Sequence, residues 1–82
     1  MVMKVGINMY NYYRRLKDLR EDHDMTQQTV SDHLGMKQSQ YSRYERGIRD
    51  VPSDILIKLA LLYNTSVDYI LELTDDPKPY RR

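Results

Sequence analysis

At 82 residues the chain fits one domain, and a domain this small buries only a modest share of its surface, so its core must be compact. It has no cysteine, which removes disulfides and thiolate metal sites together and fits a reducing cytoplasm. There is no apolar run of roughly 18 residues, and MVMKVGINMY is too short and too polar for a signal peptide or a membrane span, so a soluble cytoplasmic protein with no membrane partner is expected, its small net charge of +1 distributed in alternating blocks.

No strand pattern competes with helical spacing after residue 8. Met9, Tyr12, Leu16 and Leu19 recur at intervals of three and four, which predicts an amphipathic helix α1 over about Met9–Glu21. It is basic: Lys4, Arg14, Arg15, Lys17 and Arg20 against Asp18 give residues 1–20 a charge of +4. The run DHDM breaks it. Thr26 is a good N-cap, and Met25 and Val30 bracket it at the spacing of a hydrophobic staple, so α2 is predicted over Gln27–Leu34. Residues 21–36 sum to −4. Gly35 follows where a helix must end in a left-handed residue. Met36 and Tyr41 repeat the staple around Lys37, a poor cap, and Gln40 stands where a capping-box amide reaches back, which predicts α3 over Gln38–Arg46.

Residues 37–49 carry Lys37, Arg43, Arg46 and Arg49 against Glu45, giving +3. Gly47 ends α3, and Pro52, Ser53 and Asp54 mark the start of α4, PSDILIKLALLY, which runs to Tyr63. That segment is apolar around most of its circumference, a pattern that predicts a central position. After Asn64 and Thr65, Ser66 caps α5, VDYILEL, with Val67, Ile70 and Leu71 facing inward. Residues 50–76 sum to −5, so one basic and one acidic face are expected. The ending TDDPKPYRR has two prolines and no apolar period. The expected fold class is all-α, with a five-helix domain over residues 1–74 and a flexible tail over 75–82.

The stretch TQQTVSDHLGMKQSQYSRYERG leaves only a narrow apolar stripe of Val30, Leu34, Tyr41 and Tyr44 to hold two helices against the core. Its other groups are amides, hydroxyls and arginines that something outside the chain should read. Two helices joined across a glycine, the E-x-G stop at Glu45–Gly47 and the closing SVDYIL resemble the DNA-binding domain of the lambdoid phage repressor and Cro proteins, the xenobiotic-response-element family, over roughly Tyr12–Thr74. The resemblance implies a compact lambda-repressor-like helix-turn-helix domain of a sequence-specific transcriptional regulator, a repressor, acting as a homodimer on double-stranded DNA without a cofactor. The physical logic is independent of the name. A helix enters the major groove only if another element braces it, so α2 spans the backbone while α3 points its N-terminal residues at base edges.

By the same resemblance Gln27 grips a phosphate, with Gln28 beside it, and Gln38 is the first base-reading residue. The Gln38 amide donates and accepts at once, matching N7 and N6 of adenine. Ser39, Ser42 and Arg43 share its outward face. Arg43 suits guanine O6 and N7, or equally a phosphate. Arg46 and Arg49 in the following turn are candidate phosphate contacts. Lys37 replaces a small hydroxyl residue common at that cap, exchanging cap stability for a phosphate or base contact. Ser31 falls where close helix packing calls for a small side chain. Arg20 and Glu45 fall where the family pairs an arginine with a glutamate, which predicts a partly buried ion pair between α1 and α3.

Each role has a plainer rival. Polar residues on an exposed helix face are usually just solvated. Eight tyrosines with no Phe or Trp can form stacking platforms for single strands, yet at helical spacing they belong to the core with the hydroxyl at its edge. His23 and His33 lack the spacing of a metal pair, and Asp22, His23 and Asp24 do not converge, so no metal site is expected. There is no glycine-rich phosphate loop, no nucleophile elbow and too little chain for a substrate pocket, which argues against an enzyme. The remaining alternative is a protein-interaction module of antitoxin or anti-repressor type, in which the same fold serves a protein partner.

Overall fold

The structure, a computed structural model, describes residues 13–80. Five helices follow in order, α1 (Arg14–Asp22), α2 (Gln27–Leu34), α3 (Gln38–Glu45), α4 (Ser53–Leu62) and α5 (Val67–Ile70), with no strand among the described residues. The predicted first turns of α1, from Met9 to Tyr12, lie outside the described residues. α2 has its predicted bounds, whereas α3 ends one residue early with Arg46 as its cap, and α4 ends at Leu62. α5 is a single turn, shorter than VDYILEL suggested, because Glu72 leaves the helical region at φ 63°.

The core draws on every helix: Leu16 and Leu19, Val30 and Leu34, Tyr41 and Tyr44, Ile55, Leu56, Leu59 and Ala60, and Ile70, closed by Val51 and Tyr63. α2 packs on α3, α1 against both α3 and α5, and α4 against α5. Ser31 is fully buried, and its hydroxyl donates to the Gln28 carbonyl at 2.9 Å. α4 is not enclosed as its composition suggested. Ile57 and Leu61 are each more than half exposed, because the core lies on one side of the helix and its apolar residues continue past that side.

Helix starts follow the caps legible in the sequence. Thr26 Oγ1 accepts the Thr29 N–H at 3.1 Å and Ser66 Oγ accepts the Tyr69 N–H at 3.0 Å. Lys37 has no side-chain acceptor to offer, so only half a capping box forms: Gln40 Oε1 accepts the Lys37 N–H at 3.2 Å. Each helix stops in the same way, at a residue with positive φ: Asp24, Gly35, Gly47, Asn64 and Glu72. At Gly35 (φ 72°) its N–H bonds the Asp32 carbonyl and the next N–H, of Met36, bonds Ser31, the paired bonds of a Schellman ending.

After α5 the chain folds back on the helices. The Arg15 guanidinium donates to the carbonyls of Tyr69 at 2.8 Å and Thr74 at 2.6 Å, pairs with Asp75 at 2.7 Å, and lies 4.0 Å over the Tyr69 ring. Arg14 pairs with Glu72 at 2.7 Å, Thr65 Oγ1 donates to the Pro77 carbonyl at 2.6 Å, and the Tyr80 hydroxyl bonds Asp68.

Candidate nucleic-acid interface

α2 and α3 meet across a turn whose direction is fixed by the left-handed Gly35. α3 then turns Tyr41, Tyr44 and Glu45 inward, with the rings of Tyr41 and Tyr44 edge to face at 6.4 Å. What remains outward is polar. Lys37, Gln38, Ser39, Arg43 and Arg46 are exposed, Ser42 is half-buried, and Arg49 stands exposed in the turn that follows. The tyrosines of this segment are core, as their spacing indicated.

The predicted residues divide into groups. Gln27, half-buried at the start of α2, meets Gln38 at the start of α3, whose Nε2 donates to Gln27 Oε1. Gln28 beside it turns along its own helix and donates to Asp32 at 2.7 Å. Arg46 folds back on α3, its Nε 3.2 Å from Ser42 Oγ. Arg43 and Arg49 line one small cleft together with Gln40 and Tyr44. Lys37 lines another with Gln28 and Gln40. Ser39 is exposed near the helix tip. From the sequence Gln40 is expected only as a capping amide and not as part of this face. Its place three residues from both Lys37 and Arg43 is the spacing that puts it on their face.

Behind this face lies the expected ion pair. Arg20 Nε donates to Glu45 Oε2 at 2.7 Å and Arg20 Nη2 to Oε1 at 3.1 Å, while Arg20 Nη1 donates to the Met25 carbonyl at 3.1 Å. Gln27 Nε2 donates to the same Glu45 Oε1 at 3.0 Å, a contact not anticipated from the sequence. Burial disfavours the Glu45 charge. The Arg20 bonds, the nearby Tyr41 hydroxyl and the Gln27 amide outweigh it and hold the carboxyl below the ordinary glutamate range. Burial first, and then the Glu45 charge, push the Tyr41 hydroxyl up steeply and that of Tyr63 up to about 12, so both remain protonated. Among the described residues neither hydroxyl has a hydrogen-bond partner. His23 is occupied locally: its Nδ1 bonds the Leu19 carbonyl at 2.8 Å and its ring rests 5.0 Å from that of Tyr63.

Among the described residues no ion pair engages Lys37, Arg43, Arg46 or Arg49, whereas Arg14, Arg15 and Arg20 of α1 all meet carboxylates. The arginines of α1 are thus paired within the fold, whereas those of α3 and the turn after it meet no carboxylate among the described residues. No described helix is long and apolar enough to cross a membrane.

Comparison with known proteins agrees with this geometry. The helix-turn-helix family matches residues 16–70. The chain is 46% identical over 68 residues to the uncharacterized HTH-type transcriptional regulator YobD of Bacillus subtilis, covering 83% of this chain and 61% of that protein. It is 41% identical over 58 residues to the HTH-type transcriptional regulator ImmR of the same organism, covering 71% of this chain and 46% of ImmR. A third Bacillus subtilis relative, the uncharacterized HTH-type transcriptional regulator YqaE, is 30% identical over 70 residues, which are 85% of this chain and 60% of YqaE. The chain therefore spans about half to three fifths of the length of these relatives. No solved structure matches it. From the match over residues 16–70 and the braced pair of helices turning at Gly35, the chain belongs to the helix-turn-helix family, in its repressor- and Cro-like branch.

Proposed function

We propose that the chain is a sequence-specific double-stranded DNA-binding transcriptional regulator, a cytoplasmic repressor that reads the major groove with α3 as a homodimer. The observation that carries this reading is the two-sided character of α3: Tyr41, Tyr44 and Glu45 are buried, while Gln38, Ser39 and Arg43 stand exposed among basic side chains that meet no carboxylate among the described residues. The names of the Bacillus subtilis relatives as transcriptional regulators support it.

In this reading Gln38 meets an adenine, Ser39, Ser42 and Arg43 meet bases or the groove wall, and Gln27, Gln28, Lys37, Arg46 and Arg49 hold phosphates. One domain of this size makes too few base contacts for typical specific affinity, and a two-fold dimer doubles them over half-sites about one helical turn, roughly 34 Å, apart.

The test selects bound duplexes from a random library, then compares wild type and Gln38→Ala on selected and scrambled sequences over a range of salt. Affinity should fall steeply with salt, and Gln38→Ala should cost about 1–3 kcal/mol on the selected site and little on scrambled DNA. Equal losses on both would make Gln38 a backbone contact. Salt-insensitive binding with no loss on either would favour a protein partner.

A further inference from the structure

Four side chains connect the exposed tip of α3 to the interior in a directed series of hydrogen bonds. Arg20 donates to Glu45, Gln27 Nε2 donates to Glu45 from the other side, and Gln38 Nε2 donates to Gln27 Oε1. The direction is imposed by chemistry. Arg20 has only donors and an ionised carboxylate has only acceptors, so Gln27 must turn its NH2 group toward Glu45. That leaves Gln27 Oε1 facing Gln38, and Gln38 must answer with an N–H. Turning the Gln38 amide over would set two carbonyl oxygens against each other. Turning both amides over would set the Gln27 oxygen against the buried carboxylate.

We propose that Glu45 is a positioning residue that sets, through Gln27, the amide direction in which Gln38 meets a base. The inference rests on the reading of Gln38 as a base contact. With one N–H held by Gln27, Gln38 presents its second N–H and its Oε1 in a fixed order. In the major groove adenine offers N7 as acceptor and N6 as donor, whereas guanine offers two acceptors. A glutamine free to turn over meets a donor and an acceptor in either order, and so tolerates the inverted pair. A glutamine held in one sense confronts the wrong base with an unmatched carbonyl. Base discrimination at this position is then a property of the Glu45–Gln27–Gln38 series, and the two residues behind Gln38 control it from within the fold.

The experiment measures affinity for the selected duplex and for three duplexes changed at the position where Gln38→Ala loses its preference. The proteins compared are wild type, Gln38→Ala, Gln27→Met and Glu45→Gln. Gln27→Met removes the middle amide while leaving the Arg20–Glu45 pair. Glu45→Gln lets that amide face either way. Glu45→Asp, which keeps the charge but withdraws it from Gln27, replaces Glu45→Gln if that variant fails to fold. Gln27→Met and the Glu45 variant should each reduce the ratio of best to next-best base by roughly fivefold or more, beyond any uniform loss over the four duplexes. If Gln38→Ala flattens the preference while both variants keep the wild-type ratio, the proposal is overturned and the reading of Gln38 stands. Relaxation by Gln27→Met alone would overturn the role of Glu45. If Gln38→Ala leaves base preference unchanged at every position, the reading of Gln38 itself fails and the proposal with it.

Discussion

Glu45 keeps its charge where only 4% of its side chain is exposed, beside an Arg20 side chain that is 13% exposed. Such a pair is expensive to desolvate, so its net contribution is small, but removing one partner strands the other. Glu45→Ala should therefore lower the unfolding free energy by about 3 kcal/mol in urea denaturation near neutral pH; an unchanged midpoint would show that the pair does not tie α1 to α3. The pH dependence has a definite sign. Because the carboxyl in the fold lies below its ordinary range, its contribution is fully present above the unfolded glutamate value and is lost as pH falls through the lower folded value. The stability difference between wild type and Glu45→Gln should then shrink as the solution is acidified below the ordinary glutamate range. A gap that stayed constant there would mean that protonation of Glu45 is not coupled to folding.

The five helices of the described residues each end at a left-handed residue, yet only two of those residues are glycine. Nothing lies within 4 Å of a methyl group built on Gly35, so there the demand is conformational and not one of space. Gly35→Ala should cost about 1 kcal/mol through strain in the left-handed region. Asp24, exposed and at φ 56°, already carries such strain, and Asp24→Gly should raise stability by up to about 1 kcal/mol despite the added freedom of the unfolded chain. Thermal denaturation of both variants reads the two shifts, which should have opposite signs. The same feature explains what the sequence made legible. α2 and α3 could be bounded because Thr26, Gly35 and Gly47 announce their caps and stops. The end of α5 could not, since nothing in Glu72 signals a left-handed conformation. α4 misled because hydrophobicity around a helix tells how much could be buried and not which neighbours are there to bury it. The outward face of α3 followed from spacing alone, whereas the bond from Gln27 to Glu45 joins residues 18 apart and depends on how the helices pack.

Across the whole molecule, sequence blocks of charge translate into contacts. The acidic C-terminal block reaches α1 through Arg14–Glu72 and Arg15–Asp75, while among the described residues no ion pair engages the basic side chains of α3 and the turn after it. Arg15 has a kinetic consequence. Its bond to Thr74 spans 59 residues of chain, whereas α2 and α3 contact across a turn of three residues. Closing a long loop costs more entropy than closing a short one, so the α2–α3 pair can form early and the Arg15 clasp must form late. On the way out the expected order reverses: the clasp should be the first part to open, without melting the rest. Native-state hydrogen exchange on Arg15→Ala should show the Leu73 amide, bonded to Asp68, exchanging roughly tenfold faster while the Val30 amide keeps its protection. An equal loss at both amides would mean that the domain opens only as a single unit. If the clasp opens alone, the C-terminal segment can detach and reattach many times during one lifetime of the folded helix pair.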